Sequence, residues 1–401
     1  MVRVKARPSP APPAASRHRP SAQEAPTIAI IDNPQDFIAL REEWEALFAR
    51  AALPQQVFQS HVVLRHWARH YLDAQSKLSI VTVRRDGRLA MIWPLIRQRR
   101  FGIDTLRFMG IPVAQFGDVL VEAGDDAQDL FQAGWKAVRS LGSDIFEARK
   151  LRADSALASS GLLRGAVERD RLEAPFADLD FRVGPDGPSQ AYRPRERSNH
   201  RRRLRRLTER GPISFSCVTP GPEAAALVEQ AVAMKQATLQ RHGIIAPAIS
   251  DPRFMAFFRD LAGDAAGGSP LRVALILCAD KPVGIDLALD CKGTSFGHVI
   301  ATNPDHERGG LGGILIHHSF ASARERGNAI FDLLAPADPY KLEHADGQTG
   351  VSDLALPLSL KGRIACSLGI AKLRPALKAT LKRLPAPVTR RIAAWAASGK
   401  A

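Results

Sequence analysis

The sequence predicts an α+β fold, and three observations predict it. Three apolar runs, Leu271–Cys278, Val283–Asp290 and Thr294–Ala301, are separated by the turn signals Asp280-Lys281-Pro282 and Lys292-Gly293. That is the pattern of an antiparallel meander. Apolar residues recur at helical spacing over 126–141 and 222–242, which marks amphipathic helices. Between the meander and a helical run from Ile314 to about Arg326 lies Arg308-Gly309-Gly310-Leu311-Gly312-Gly313, and a strand-like run, Ala329–Leu334, follows. Strand, glycine loop, helix, strand is an arrangement that presents backbone N–H groups to a phosphate.

The chain has 401 residues, enough for two or three domains. No run approaches the roughly 20 apolar residues of a membrane span. The first 26 residues are rich in Pro, Ala and Arg and lack an apolar core segment. They read as a disordered tail and not a secretory signal, so a cytoplasmic location is expected. The four cysteines, Cys217, Cys278, Cys291 and Cys366, form no C-x-x-C and no zinc-finger spacing. A disulfide framework and a structural zinc are therefore not expected. The net charge of +15 fits an anionic partner. Most of the excess lies in the N-terminal tail, in Arg193–Arg210 and after Lys361.

In chain order, Thr27–Ile31 reads as a strand closed by Asp32-Asn33-Pro34. Phe37, Leu40, Trp44, Leu47 and Phe48 predict one helix over 36–50. Ser60 opens a second, with Val63, Leu64, Trp67 and Tyr71 along one side. Leu78–Val83 and Leu89–Ile96 flank the hairpin turn Asp86-Gly87. Phe101–Met109 and Asp118–Val121 read as strands, Asp126–Leu141 as a helix, Asp144–Lys150 as a strand and Leu157–Asp170 as a weaker helix. Pro175–Phe181 is a further short strand. Arg193–Arg210 holds nine arginines against Glu196 and Glu209, with Leu204 and Leu207 as a narrow apolar stripe. It predicts a basic helix from Ser198 to about Arg210. Ile213–Val218 reads as a strand, Pro222–His242 as a long helix and Pro252–Leu261 as a helix capped by Asp251.

From Lys361 to Ala401 there are ten Lys/Arg and no Asp/Glu, alternating with Ile364, Leu368, Leu373, Leu377, Leu381 and Leu384. This basic amphipathic tail either packs on the body or docks to an anionic membrane surface. The expected organisation is a tail at 1–26, α+β units at 27–175 and 176–345, and the basic tail at 346–401. The two halves share a coarse order of elements that suggests duplication, without residue identity to show it.

Candidate chemistry gathers around the glycine loop. Asp286 and His298 fall on adjacent strands of the meander, and Asp332 lies among apolar neighbours. His298 has an ordinary pKa suited to a general base, and burial would raise that of either aspartate toward a useful range. Arg308, Gly309, Gly310, Leu311, Gly312 and Gly313 form the candidate cofactor cradle. The nine arginines lack interleaved aromatics, which argues against a stacking single-strand binder. No zinc finger, RNP motif or basic zipper is present.

The order meander, glycine loop, helix, strand resembles the acyl-CoA-binding core of GNAT acyltransferases. Gly310 and Gly312 match the two small positions of their Gln/Arg-x-x-Gly-x-Gly/Ala loop. Glu307 stands at its first position, with Arg308 beside it. More specifically, the chain resembles the cellulose-biosynthesis-associated (CelD-type) acetyltransferases, a GNAT branch related to FemAB-type peptidyltransferases. The resembling pieces are Glu43-Trp44 with Leu47-Phe48, Gln59-Ser60 with Trp67, the Thr82–Leu95 hairpin, Arg197–Leu207, Lys235–Gly243, Pro282–Leu289 and Phe331-Asp332 to Tyr340-Lys341. Together they cover most of residues 28–345.

The resemblance implies tandem GNAT-like units with mixed, mainly antiparallel sheets and the cofactor loop in the second. It implies acetyl-CoA or another acyl-CoA as co-substrate, a small-molecule, saccharide or amine acceptor, and a link to polysaccharide or cell-envelope synthesis. It adds Lys341 to the catalytic candidates Asp286, His298 and Asp332, and Tyr340 and Lys235 as substrate-binding residues. Two alternatives stand beside it. One is a FemAB-like transferase with aminoacyl-tRNA as donor, the only reading with a nucleic-acid partner. The other is a non-catalytic GNAT-like module docked to a polysaccharide-synthesis complex. The expected location is cytoplasmic, with peripheral contact at the inner membrane face.

Overall fold

The computed structural model describes residues 25–124, 126–185 and 187–367. Nearly all of the expected N-terminal tail, and the basic tail from 368 onward, lie outside the described residues.

β1 (Thr27–Ile31) leads to Asn33, whose side chain accepts from the Asp36 N–H and opens α1 (Pro34–Ala39). α2 (Arg41–Ala51) follows at once. The single helix expected over 36–50 is thus two. Leu40 still bonds the Asp36 carbonyl and accepts from Trp44, so the break is slight. α3 (His61–Tyr71) starts after Ser60, as expected, and buries Val63, Leu64 and Trp67. β2 (Ser76–Leu78) and β3 (Ile80–Arg85) lead into the Asp86-Gly87 turn, both of whose residues have positive φ, and β4 (Arg88–Trp93) returns. The return strand expected over Leu89–Ile96 stops at Pro94, which cannot donate to a ladder. β5 (Leu95–Arg100) then pairs in a different sheet. β6 (Ile103–Phe108), β7 (Leu120–Val121), α4 (Ala127–Ser140) and β8 (Ile145–Arg152) follow. The weak helix expected over 157–170 shrinks to the single turn α5 (Ala156–Ser159), and its second half enters a long strand, β9 (Val167–Asp178). The expected boundary at 175/176 falls inside that strand. Asp178 then caps the one-turn α6 (Leu179–Arg182), which ends the strand expected over 175–181.

A short ribbon, β10 (Val183–Gly184) and β11 (Gly187–Pro188), precedes α7 (Pro194–Thr208). α7 starts at Pro194 and not after Ser198, because Pro favours the first helical turn and the Glu196 carboxylate accepts from the Arg193 N–H. β12 (Ile213–Val218), α8 (Pro222–His242), the one-turn α9 (Pro247–Ser250) and α10 (Pro252–Gly263, capped by Asp251) come next. The meander is β13 (Leu271–Cys278), β14 (Lys281–Cys291) and β15 (Thr294–Thr302), antiparallel throughout. α11 (Leu311–Glu325), β16 (Ile330–Asp332) and the one-turn α12 (Pro339–Leu342) follow. Residues 347–357, expected to be tail, are instead a strand, β17 (Gly347–Pro357), and α13 (Leu360–Ser367) ends the described chain.

β1, β3, β4 and β7 form a four-stranded sheet. The main sheet has eleven strands in the order β12-β13-β14-β15-β16-β9-β17-β8-β6-β5-β2. Only two of its pairs are parallel, β15 with β16 and β6 with β8. Each is bridged by a helix, α11 in one case and α4 in the other. The architecture therefore repeats a strand–helix–parallel strand unit once in each half, on a mixed and mainly antiparallel sheet as expected.

Apolar side chains of α8 and α10 cover one face of the meander, where Ile285, Leu287 and Val299 share a core with Val228, Ala231 and Phe258. α11 covers the opposite face through Ile314, Leu315, Ile316 and Phe320. The stripe on α7 works as its spacing predicts. Leu207 is buried with Leu311, Ile314 and Leu315, and Leu204 packs beside it. That docking leaves the arginines of α7 outward and brings the helix against the start of α11.

Candidate functional site

β15 and β16 pair only through Thr294–Phe296 and Ile330–Asp332. Beyond that point they part. β15 continues along β14, while the Leu333 N–H turns away to the Pro175 carbonyl on β9, at 2.8 Å. At the parting, a Cβ on Gly297 would lie 2.5 Å from the Phe331 ring, so only glycine lets that ring cross β15. The ladder also slips there. Leu287 faces Val299 and Ala288 faces Gly297, which leaves His298 as the extra residue of a bulge. The glycine run and the start of α11 follow β15 directly in the chain.

Helix α11 begins at Leu311, three residues earlier than the sequence predicts. Leu311, Gly312 and Gly313 are therefore its first turn, and the Gly313 N–H donates back to the Gly310 carbonyl at 3.2 Å. Gly310 is the N-cap, with φ 71 and ψ 31. Arg308 and Gly309 end a 3-10 turn, Pro304–Gly309. A Cβ on Gly312 would meet no atom within 4 Å, so this side of the turn is open. Over Gly310 lies Arg203 from α7. Its Nε would be 2.4 Å from a Gly310 Cβ, and one of its terminal nitrogens 3.0 Å from a Gly313 Cβ. The guanidinium thus rests at the positive end of the α11 dipole, an arrangement of like sign that an anion between them would relieve.

The candidate catalytic residues occupy distinct environments. His298 is buried. Its Nε2 lies 2.7 Å from the Val113 carbonyl oxygen and 3.2 Å from Gln115 Nε2, and its Nδ1 has no partner. Burial, with Lys150 and Lys341 nearby, pushes it down to about 4. Asp332 accepts from Arg152 at 2.5 Å and from the Leu334 N–H at 2.8 Å. Arg152 also donates to Asp154 and lies 4.7 Å from the Phe116 ring centroid. Burial moves Asp332 up, and Arg152 offsets part of that.

Asp286 is fully buried with neither oxygen hydrogen-bonded, under α11 near Ser319, whose hydroxyl also lacks a partner. Burial pushes Asp286 up to about 7. Lys341 is not at a strand end but in α12. Its ammonium donates to the carbonyls of Leu334 and Pro336, at 2.8 and 3.0 Å, and burial pushes it down to about 8. Lys235 on α8 donates to the Ile300 carbonyl of β15 at 3.0 Å. Burial lowers its pKa, while Asp338 and Asp286 oppose that. Tyr340, beside Lys341, is partly exposed.

The fold therefore brings His298, Asp332, Lys341 and Lys235 to the region where β15 and β16 part, and places Asp286 beneath α11. Sequence reasoning missed several neighbours. Lys150 on β8 has φ 53, and its ammonium donates to the Ala114 carbonyl and to Gln115 Oε1, at 2.9 and 3.1 Å. Burial pushes it down to about 8. Lys150 and Gln115 line a crevice with Leu172, Ala335, Val351 and Asp353, on the side facing the β16–α12 turn. These contacts depend on β17 and β9 lying side by side, and nothing local in the sequence marks them.

Residues 194–342 match the family model of the acetyltransferase (GNAT) domain. The match spans α7 to α12 and so contains the parted strands, the glycine turn and Arg203. No curated protein matches the chain in sequence. Among solved structures, the chain is similar to FemX, with 10% identity and a TM-score of 0.52 over 76% of this chain and 96% of that one. It is also similar to a conserved protein of unknown function from Bacteroides thetaiotaomicron, with 8% identity and a TM-score of 0.51 over 82% and 100% of the two chains. L-PGS from Bacillus licheniformis gives 12% identity and a TM-score of 0.50 over 83% and 95%. At such identities the likeness is one of fold. Among the described residues no helix is long and apolar enough to cross a membrane.

Proposed function

We propose that the chain is an acyl-CoA-dependent N- or O-acyltransferase, with acetyl-CoA the simplest donor. The observation that carries this reading is the parting of β15 and β16 together with the first turn of α11, which is open on its Gly312 side. A phosphate cradle alone would suit many nucleotides. A gap between two strands next to it suits a long, thin arm that bonds to strand edges, as a pantetheine does. In this reading the N–H groups of Leu311 and Gly312 hold a pyrophosphate and Arg203 adds charge from above. The acceptor nitrogen or oxygen bonds to the thioester carbon, the carbon–sulfur bond breaks, and the thiolate leaves while a base takes the acceptor's proton.

Among the four candidate bases, His298 and Asp332 are poorly suited. The first is held well below neutrality, and the second is engaged by Arg152. Asp286 and Lys341 have pKa values nearer neutrality. Lys150 on β8 and Gln115 in the β6–β7 loop, across the gap, suit the acceptor side. Tyr340 and Lys235 fit the rim. We retain two GNAT-like units, 27–175 and 176–345, as the organisation of this site, and an acceptor from polysaccharide or cell-envelope synthesis.

Acetyl-CoA at millimolar concentration should raise the melting temperature of the full chain, because a ligand at 100 times its Kd stabilises by about 2.7 kcal/mol. A folded protein that shows no shift contradicts the proposal. A second reading keeps the fold and takes aminoacyl-tRNA as donor. The outward arginine face of α7 favours it. Salt-sensitive tRNA binding without any response to acyl-CoA would put it first.

A further inference from the structure

Three large apolar side chains stand out of the body close together. Phe101, at the tip of the β5–β6 hairpin, is 101% exposed, and Leu360 and Ile364 on α13 are 73% and 52% exposed. Four residues apart on α13, Leu360 and Ile364 share one helix face. The opposite face of α13 is buried, with Ala365 and Cys366 packed beside Ile145 and Ala355 and against Ile103 of β6. Lys361 donates to the Gly102 carbonyl, which fixes the hairpin tip next to the helix.

Around these apolar groups the charge is mainly positive. Arg99, Arg100 and Arg363 are exposed and make no ion pair among the described residues, although Arg99 stands opposite Asp104 across the hairpin, a carboxylate that Arg97 engages at 3.0 Å, and Lys361 lies 3.4 Å from Asp144. The chain then runs on from this spot. Residues 368–401 hold eight Lys/Arg and no Asp/Glu, with Leu368, Ile370, Leu373 and Leu377 among them. An outward apolar helix face rimmed by unpaired arginines is the arrangement that lies in the headgroup layer of a bilayer. Among the described residues nothing covers this apolar trio.

We infer that Phe101, Leu360 and Ile364, with Arg99, Arg100, Lys361 and Arg363, form a docking surface for an anionic lipid bilayer. The apolar side chains insert at the headgroup boundary and the basic ones engage lipid phosphates. This surface is separate from the parted strands and does not depend on acyl transfer. It fixes which face of the protein would lie on a membrane, with the C-terminal basic segment beginning at the contact.

The test is sedimentation of the full-length chain with vesicles of phosphatidylcholine alone or with 30 mol% phosphatidylglycerol added. The expected result is binding to the anionic vesicles, weakened by raised salt and reduced at least tenfold in F101S/I364S and in R99Q/R100Q/R363Q. All five of these side chains are exposed, and circular dichroism checks that the variants keep the fold. Absence of binding to anionic vesicles overturns the inference. So does binding that both sets of substitutions leave unchanged, which would assign it to residues 368–401 alone. Equal binding to neutral vesicles overturns the anionic assignment. A dimer seen by light scattering and lost in F101S/I364S, without vesicle binding, would identify the patch as a contact between copies and also overturn it.

Discussion

Replacing Asp286 by Asn tests the physical account of the meander in one measurement. The side chain is fully buried, neither carboxylate oxygen has a hydrogen-bond partner, and burial pushes its pKa up to about 7 from an ordinary 3.8. A carboxyl raised in this way keeps its proton to higher pH in the folded chain than in the unfolded one. Folding therefore binds a proton between about pH 4 and pH 7, and stability falls as pH rises through that window. Each tenfold step in the proton equilibrium is about 1.4 kcal/mol, so the full loss is on the order of 4 kcal/mol, more than half of it between pH 5 and pH 8. Asn keeps the shape and removes the titration. Guanidinium unfolding followed by tryptophan fluorescence at pH 5, 6, 7 and 8 should show wild type losing on the order of 2–3 kcal/mol more than D286N over that range. Parallel pH profiles for the two proteins would refute the reasoning and mean that Asp286 is ionised and paired in solution.

Arg203→Ala should leave stability within about 0.5 kcal/mol, since the side chain is exposed. It should weaken acetyl-CoA binding by calorimetry about tenfold or more through loss of a charge-assisted contact. Unchanged affinity would remove Arg203 from the site. Gly310→Ala forces a Cβ into a left-handed conformation against Arg203 and should cost about 1–2 kcal/mol in guanidinium unfolding. No cost would contradict the turn as described. Asp332→Ala leaves Arg152 with only Asp154 as a carboxylate partner and should cost about 3 kcal/mol. A loss under about 1 kcal/mol would show that the pair contributes little to stability.

The parts of the fold legible in the sequence are those set by neighbours in the chain. The meander follows from alternation and from the two turn signals Asp280-Lys281-Pro282 and Lys292-Gly293, where Ala279, Asp280, Lys292 and Gly293 take positive φ. α8 matches its expected span because Pro222 and Gly243 mark its ends. β9 was hidden by charge. Glu168, Arg169, Asp170, Arg171 and Glu173 break the apolar alternation of a strand whose residues here are largely exposed or half-buried. β17 was hidden by Gly347, Gly350 and Pro357 and by partners that lie in β8 and β9, some 170–210 residues earlier. The candidate site divides the same way. The glycine turn and its helix are local and could be read directly. Arg152 beside Asp332, Lys150 beside His298 and Arg203 over Gly310 are products of long-range packing. For the last, the arginine run was visible, but its target was not.

The central claim is that the parted strands and the α11 turn receive a thioester cofactor. A crystal structure of the chain with CoA tests it most directly. The account predicts a pyrophosphate on the N–H groups of Leu311 and Gly312 beneath Arg203, with the pantetheine arm entering between β15 and β16. CoA bound elsewhere, or failure to bind in a folded crystal soaked at millimolar concentration, would contradict it.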